Sequence, residues 1–263
     1  MDAYPFLDAV REQHPLVHHL TNWVTIYDCA QVVKSFSASP VMAHAPEEAA
    51  DMSGFASALV LNIGTLTTDF IESMKIAARA ANLRNIPVVL DVCGAGATPF
   101  RDKKSYELLE GARIGIIKGN SSEIARIAGK DVRTRGVDAG HVKADLRDIA
   151  QGLAALRGCT VVITGREDIV ADSRVCYVVR NGVEMMTHVV GTGCMAASVI
   201  GTFAGASPNN VTAAAAAGLS CYEIAAELAA AKSNGPASFK QYLFDCIFSL
   251  TKDDVVSRQR IDS

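Results

Sequence analysis

The sequence predicts an α/β fold in which a mostly parallel central sheet is flanked by helices. Short runs of β-branched and aliphatic residues end in glycine or a polar residue and lead into segments of helical period, the pattern of strands joined by crossover helices. Hydrophobic residues make up 49% of the chain and charged residues 20%, enough apolar surface to cover both faces of a buried sheet and too much for a disordered chain. No repeat or low-complexity linker breaks the 263 residues, so residues 1–263 read as a single domain.

The clearest strands are Ala58–Asn62, Val88–Asp91, Ile114–Lys118 and Thr160–Thr164. Helical periodicity follows at about Asp69–Leu83, Ser122–Ala128, Lys143–Leu156, Gly193–Phe203, Asn210–Ala231 and Phe239–Leu250. Val175–Val179 and Val183–Met186, separated by Arg180-Asn181-Gly182, suggest a hairpin added to the sheet edge. The stretch from Val211 to Ala231 is the most membrane-like, but Glu223 and Glu227 interrupt it, so it reads as a buried alanine-rich core helix. The N-terminus shows neither a basic segment nor a long apolar one, so no secretion is expected.

Composition narrows the function. Twenty-five Lys+Arg against 28 Asp+Glu give a net charge of −3, which argues against a general nucleic-acid binder or a polybasic membrane protein. The seven cysteines form no CxxC pair and no zinc-like cluster, so free thiols in a reducing cytoplasm are expected. In an open parallel sheet, ligands bind beyond the carboxyl ends of the strands. Asn62-Ile63-Gly64-Thr65, Asp91-Val92-Cys93-Gly94-Ala95-Gly96, Lys118-Gly119-Asn120 and Thr164-Gly165 all fall there, which points to a nucleotide or phosphate site.

The sharpest segment is Gly191-Thr192-Gly193-Cys194-Met195, a glycine-rich loop leading into a helix of small residues. Backbone amides at such a helix start form an anion hole for a phosphoryl group; the plainer reading is a tight turn with Cys194 capping the helix. It is neither a Walker A loop nor a nucleophile elbow. Asn120-Ser121-Ser122-Glu123 reads as a capping box, or as oxygen ligands for Mg²⁺, with Asp91 as a second candidate ligand. His18 and His19 point to opposite sides of an extended segment and read as packed or hydrogen-bonded residues. His188, six residues before Cys194, is a weak candidate to activate it.

Taken in order, Pro15-Leu16-Val17-His18, Thr21-Asn22, Ser39-Pro40-Val41-Met42, Leu61 to Leu66, Gly119 to Ile124, Val190 to Cys194 and Gly235 to Phe239 resemble the hydroxyethylthiazole kinase family. The resemblance runs from about residue 15 to 240. It implies a ribokinase-like fold and transfer of the ATP γ-phosphoryl group to the hydroxyl of 4-methyl-5-(2-hydroxyethyl)thiazole, in thiamine biosynthesis or salvage. It further implies Met42, Asn22, Gly64 and Gly191 at the thiazole, Lys118, Thr164 and Asn120 at ATP, Asp91 and Glu123 at Mg²⁺, and Gly193 in the anion hole. A homotrimer with active sites between subunits is also implied. Two positions depart from the family pattern: Val92 stands where proline is usual, and Ala237 where glycine is usual.

Ribokinase-like enzymes commonly place an aspartate where Cys194 stands. An ordinary thiol, with a pKa of about 8.5, is a weak base at neutral pH. Loop amides, Mg²⁺ and Lys118 are therefore expected to supply most of the rate, with Cys194 orienting the hydroxyl. The alternatives are a related kinase of another heterocyclic alcohol, such as a hydroxymethylpyrimidine, or a catalytically weak nucleotide-binding regulatory module. An NAD-dependent oxidoreductase is disfavoured, because no early G-x-G-x-x-G follows the first plausible strand.

Overall fold

The computed structural model describes residues 1–130 and 145–263. Its strands are β1 (Leu16–Leu20), β2 (Ser39–Val41), β3 (Ala58–Asn62), β4 (Val88–Asp91), β5 (Ile116–Asn120), β6 (Thr160–Thr164), β7 (Asp168–Ala171), β8 (Cys176–Val179) and β9 (Ile261–Asp262). Its helices are α1 (Tyr4–Gln13), α2 (Ile26–Ser35), α3 (Pro46–Phe55), α4 (Thr68–Leu83), α5 (Pro99–Gly111), α6 (Ser121–Ile127), α7 (Leu146–Arg157), α8 (Thr192–Ala206), α9 (Val211–Ala230), α10 (Pro236–Ser249) and α11 (Lys252–Arg258). All nine strands form one sheet in the order β2-β1-β3-β4-β5-β6-β7-β8-β9. The pairs from β2 through β6 are parallel and those from β6 through β9 antiparallel.

Strand alternation sends successive side chains to opposite faces. Val60, Val89, Ile116 and Val162 pack into one core with Met195, Val199 and Phe203 of α8 and Leu219 of α9. Leu61, Leu90, Ile117 and Ile163 pack into the other, with Ile71, Met74, Leu108 and Leu153. Two residues further along β3 to β6, the same alternation turns Asn62, Asp91, Lys118 and Thr164 toward the α8 face. Phe203 anchors α8 by meeting Phe36 edge to face, with ring centroids 5.3 Å apart.

Three of the four expected strands have the bounds read from the sequence, and the fourth, β5, begins at Ile116 and ends at Asn120. The expected hairpin is corrected. Val175–Val179 does contain a strand, but its partners are β7 and the C-terminal β9, while 184–188 form a 3₁₀ turn. Asn181 explains the change: its side chain accepts from Ser220 Oγ and the Arg260 amide and donates to the Arg258 carbonyl, at 2.9 Å each. These bonds tie the chain after β8 to α9 and the C-terminus, and β9 takes the edge that a returning strand would need. Helix α7 starts at Leu146 under an Asp145 cap; the Lys143 start lies outside the described residues. Helix α9 is buried along nearly its whole length, as expected. Among the described residues no helix is long and apolar enough to cross a membrane.

Asp168 on β7 and Glu223 on α9 are buried carboxyls close enough to perturb each other. Burial raises both pKa values, most strongly that of Glu223, where the Asp168 and Glu227 charges add to the rise and Arg260 opposes it. The pair therefore retains a proton above the ordinary carboxylate range. The folded state retains this proton where the unfolded chain has lost it, so stability is full below the ordinary carboxylate range and falls as pH rises through the raised pKa. Thermal unfolding across pH is expected to show a shallower alkaline decline for Glu223→Gln than for the parent chain. Parallel curves would exclude a retained proton.

Candidate active site

Sheet register assembles the centre of the site. Asn62 is the Cα partner of Asp91, and Asp91 of Lys118, so three polar side chains stand side by side at adjacent strand ends. Asn62 Nδ2 donates to Asp91 Oδ2 at 2.8 Å, and Lys118 Nζ donates to the same oxygen at 3.2 Å. Asn22, two residues beyond β1, continues the row: its Nδ2 donates to Asn62 Oδ1 at 3.0 Å and to Cys194 Sγ at 3.2 Å. Thr25 fixes that amide, because its N–H and hydroxyl both donate to Asn22 Oδ1 at 3.1 Å.

Helix α8 enters this row from above. Gly191 occupies its N-cap with φ of 94°, and a Cβ there would come within 2.5 Å of the Thr25 side chain, so glycine is required by conformation and by space. The amides of residues 192–194 lie in the first turn and have no acceptor within the helix. Lys118 Nζ lies 3.5 Å from where a Cβ on Gly193 would sit. An ammonium group thus stands beside the positive end of the helix, an arrangement suited to a phosphate oxygen.

Cys194 lies in the first turn of α8 and does not cap it. Its pKa is lowered below the ordinary thiol range, first by a hydrogen bond from Cys93 and then by the charge of Lys118, with Asn22 also contributing and burial opposing. The Cys93 thiol, which keeps its proton in that contact, is pushed up. These neighbours favour the thiolate form of Cys194, and Asn22 donates to it directly. Lys118 stays charged: burial opposes its ammonium form, and the facing Asp91 carboxyl raises its pKa. Burial raises Asp91, against the pull of Lys118.

The capping box is present. Asn120 Oδ1 accepts from the Glu123 amide at 2.9 Å, and Glu123 Oε2 accepts from the Asn120 amide at 2.7 Å. The other Glu123 oxygen accepts from the Gly94 amide at 2.7 Å, so both oxygens are engaged by backbone. Asp91 differs, since its Oδ1 is buried and has no hydrogen-bond partner among the described residues. A buried, orphaned carboxylate oxygen costs free energy unless something binds it, and it fits a hard cation. Among the described residues no three carboxylate, imidazole or thiol groups form a ready cage, so a divalent ion here would take most of its ligands from phosphate and water. The Val92 departure also has a structural consequence: its amide donates to the Lys118 carbonyl at 2.9 Å, a bond proline cannot make.

The structure thus brings together Asn22, Gly64, Asp91, Lys118, Gly191, Gly193 and Cys194. A Cβ on Gly64 would lie 3.0 Å from Asn62 Oδ1 and 3.1 Å from Asn22 Cβ. Asn120 and Glu123 join this centre through the β4 loop. Thr164 ends β6, where its hydroxyl donates to the Gly119 carbonyl at 3.4 Å. Met42 is half-buried just past the edge strand β2. His188 is exposed, whereas the Cys194 contacts come from Asn22 and Cys93. His18 bonds Ser53 and the Ala43 carbonyl, and His19 bonds Ser198 on the other face. Sequence reasoning missed Asn62, Thr25 and Cys93 as functional residues. Asn62 was the readable one, a polar residue closing an apolar strand beside Asp91.

The family model for the hydroxyethylthiazole kinase family matches residues 7–253. A hydroxyethylthiazole kinase from Methanosarcina mazei is 51% identical over 256 residues, covering 97% of this chain and 98% of its own length. This chain belongs to the hydroxyethylthiazole kinase family. A solved structure of the family, from Pyrococcus horikoshii OT3, superposes with a TM-score of 0.90 at 34% identity, covering 99% of this chain and 98% of that one. A ribokinase-like superfamily protein from Enterococcus faecalis V583 superposes with a TM-score of 0.61 at 14% identity, over 94% of this chain and 95% of its own. That likeness places the fold among ribokinase-like proteins.

The Cys194 environment of this family member gives a direct test. Alkylation of Cys194 by iodoacetamide, followed against pH by peptide mass spectrometry, is expected to reach half its maximal rate well below the ordinary thiol value of about 8.5. Asn22→Ala and Cys93→Val should each move the midpoint upward. A parent midpoint at the ordinary value would exclude the thiolate.

Proposed function

We propose that this chain transfers the γ-phosphoryl group of ATP to the primary hydroxyl of 4-methyl-5-(2-hydroxyethyl)thiazole, giving a thiazole phosphate that enters thiamine biosynthesis or salvage. The observation that carries this reading is the first turn of α8, where the half-buried Cys194 thiol, helix amides without helical acceptors and the Lys118 ammonium group converge. A kinase of this type must accept a hydroxyl proton and neutralise phosphoryl charge, and that turn holds groups for both.

Asn22, Gly64, Gly191 and Met42 line the alcohol site in this reading, with Cys194 directed at the hydroxyl. The Cys194 thiolate accepts the hydroxyl hydrogen bond and takes the proton as the oxygen attacks. The amides around Gly193 and the Lys118 ammonium group receive the charge that develops on the transferring phosphoryl group. Asn120 and Thr164 border the nucleotide at the ends of β5 and β6. Asp91 Oδ1 would hold Mg²⁺, and Glu123 would face it through water. The ion, when bound, neutralises charge on the phosphates.

Trp23, Val24, Tyr27 and Val190 are all exposed beside this rim, at 62%, 68%, 73% and 71% of their surface. Apolar surface grouped in this way suits subunit contact and supports a homotrimer whose sites lie between subunits, where Met42 would serve a neighbour's nucleotide residues.

ADP release coupled to an indicator reaction, with Mg²⁺ and with or without the thiazole alcohol, is expected to show turnover that depends on the alcohol. ATP binding without such turnover would favour a regulatory module. Cys194→Ala should lower kcat by about 10²-fold, in the range of a lost general base, while Cys194→Asp retains most of it. A loss beyond about 10⁴-fold in the alanine variant would mean that positioning and charge are not the main source of rate.

A further inference from the structure

Arg101 makes three contacts that the chemistry above leaves unused. It sits in the first turn of α5, where the Thr98 cap accepts from its amide at 3.2 Å. Its Nη1 donates to the carbonyls of Ile63 at 2.9 Å and Cys93 at 3.0 Å, and its Nη2 donates to the Gly64 carbonyl at 2.8 Å. Ile63 and Gly64 belong to the loop leaving β3, and Cys93 to the loop leaving β4. One planar group therefore spans both loops. Among the described residues Arg101 forms no ion pair with a carboxylate, so its fork is spent on backbone.

These loops carry opposite halves of the reaction centre. The β3 loop places Gly64 against Asn22, and the β4 loop begins at Asp91. Gly94 fits the clamp: its φ is +80°, and a Cβ there would approach the guanidinium of Arg101 to between 3.0 and 3.2 Å. On its other side, the Gly94 amide is held by Glu123. The β4 loop is thus gripped from two directions, by a carboxylate on its amide and by a guanidinium on its carbonyl. No ring restrains Val92, and this grip adds to the Val92 amide bond to the Lys118 carbonyl and the Gly96 amide bond to Asp102 in holding the loop.

We propose that Arg101 is a positioning residue for phosphoryl transfer, setting the spacing between the loop that lines the alcohol site and the loop that follows Asp91. It acts through the three carbonyls and touches neither substrate. A lysine at 101 would keep the charge but lose the fork, because a single ammonium group does not span three carbonyls at these directions. This inference rests on the kinase reading above, and its test is built to fail separately from that reading.

The variants are Arg101→Ala and Arg101→Lys in the full chain. Both are expected to lower kcat with the thiazole alcohol by about 10²-fold, the cost of an ångström-scale misplacement, while the Kd for a non-hydrolysable ATP analogue changes less than about threefold. Guanidinium ion at non-denaturing concentration should restore part of kcat to Arg101→Ala, and urea at equal concentration should not. Hydrogen exchange of the amides in 62–65 and 91–96 should quicken in Arg101→Ala and slow again with guanidinium. Wild-type kcat in either folded variant would overturn the proposal, as would a kcat loss that guanidinium does not relieve. Should Arg101→Ala fail to fold, Arg101→Lys decides by its kcat and exchange. If the parent chain does not turn over the thiazole alcohol, the kinase reading fails, and unchanged loop exchange would then overturn the clamp independently.

Discussion

The register of β3, β4 and β5 is the constraint on which the rest of the site depends. Asn62, Asp91 and Lys118 meet only because their Cα atoms are direct partners across parallel ladders. A slip by one residue would turn each strand's side chains to the opposite face, sending leucine and isoleucine toward α8 and the polar row into the other core. The apolar alternation below the row forbids this slip, since Val60, Val89 and Ile116 are matched to α8 while Leu61, Leu90 and Ile117 are matched to the helices opposite. Hydrophobic packing thus positions charged groups it never touches.

The Asp91 and Lys118 pair is a poor device for stability alone. Taking both charges out of water offsets much of their attraction, and well-packed apolar residues often serve as well. Removing one partner is costly, about 3–5 kcal/mol, because it strands the other. A pair with little net gain and an orphaned Asp91 Oδ1 makes sense where an ion and phosphate complete its environment. The same logic explains how a chain of net charge −3 suits a polyanion: the positive potential is local, built from one buried ammonium group and one helix terminus.

Much of this was legible in the sequence, and the limits have physical causes. Asp91, Lys118 and Gly191 to Cys194 could be found because parallel sheets bring chemistry to strand carboxyl ends, and β3, β4 and β6 announce themselves as short aliphatic runs. Even the shared face was implicit, since Asn62, Asp91, Lys118 and Thr164 each follow a core residue by two positions. The face that α8 covers is a tertiary fact and was not readable. β1 was read only as an extended segment because His18 and His19 interrupt its apolar run, and β2 was missed because it has only three residues. The hairpin failed because the fate of Asn181 is decided by Ser220, Arg258 and Arg260, 39 to 79 residues away. Cys93 and Arg101 gave no signal of their own, because each acts only through a group that another segment brings to it.

The sequence offered Glu123 as a capping residue or a Mg²⁺ ligand and Asp91 as a second candidate ligand, and the structure separates them by what their oxygens already hold. Both Glu123 oxygens accept backbone amides, and those bonds fix the β4 loop to the start of α6. Asp91 spends one oxygen on Asn62 and Lys118 and keeps the other open. A carboxylate with both oxygens bonded to rigid amides chiefly holds geometry, and one with an uncommitted buried oxygen is the better suited to meet a cation directly. The division follows from position, since the β4 loop that Glu123 secures is the one that aims Asp91. Its rigidity from one side and the Arg101 fork from the other leave the open oxygen little freedom to move. Were an ion to bind there as proposed, little of its binding energy would be needed to order the loop.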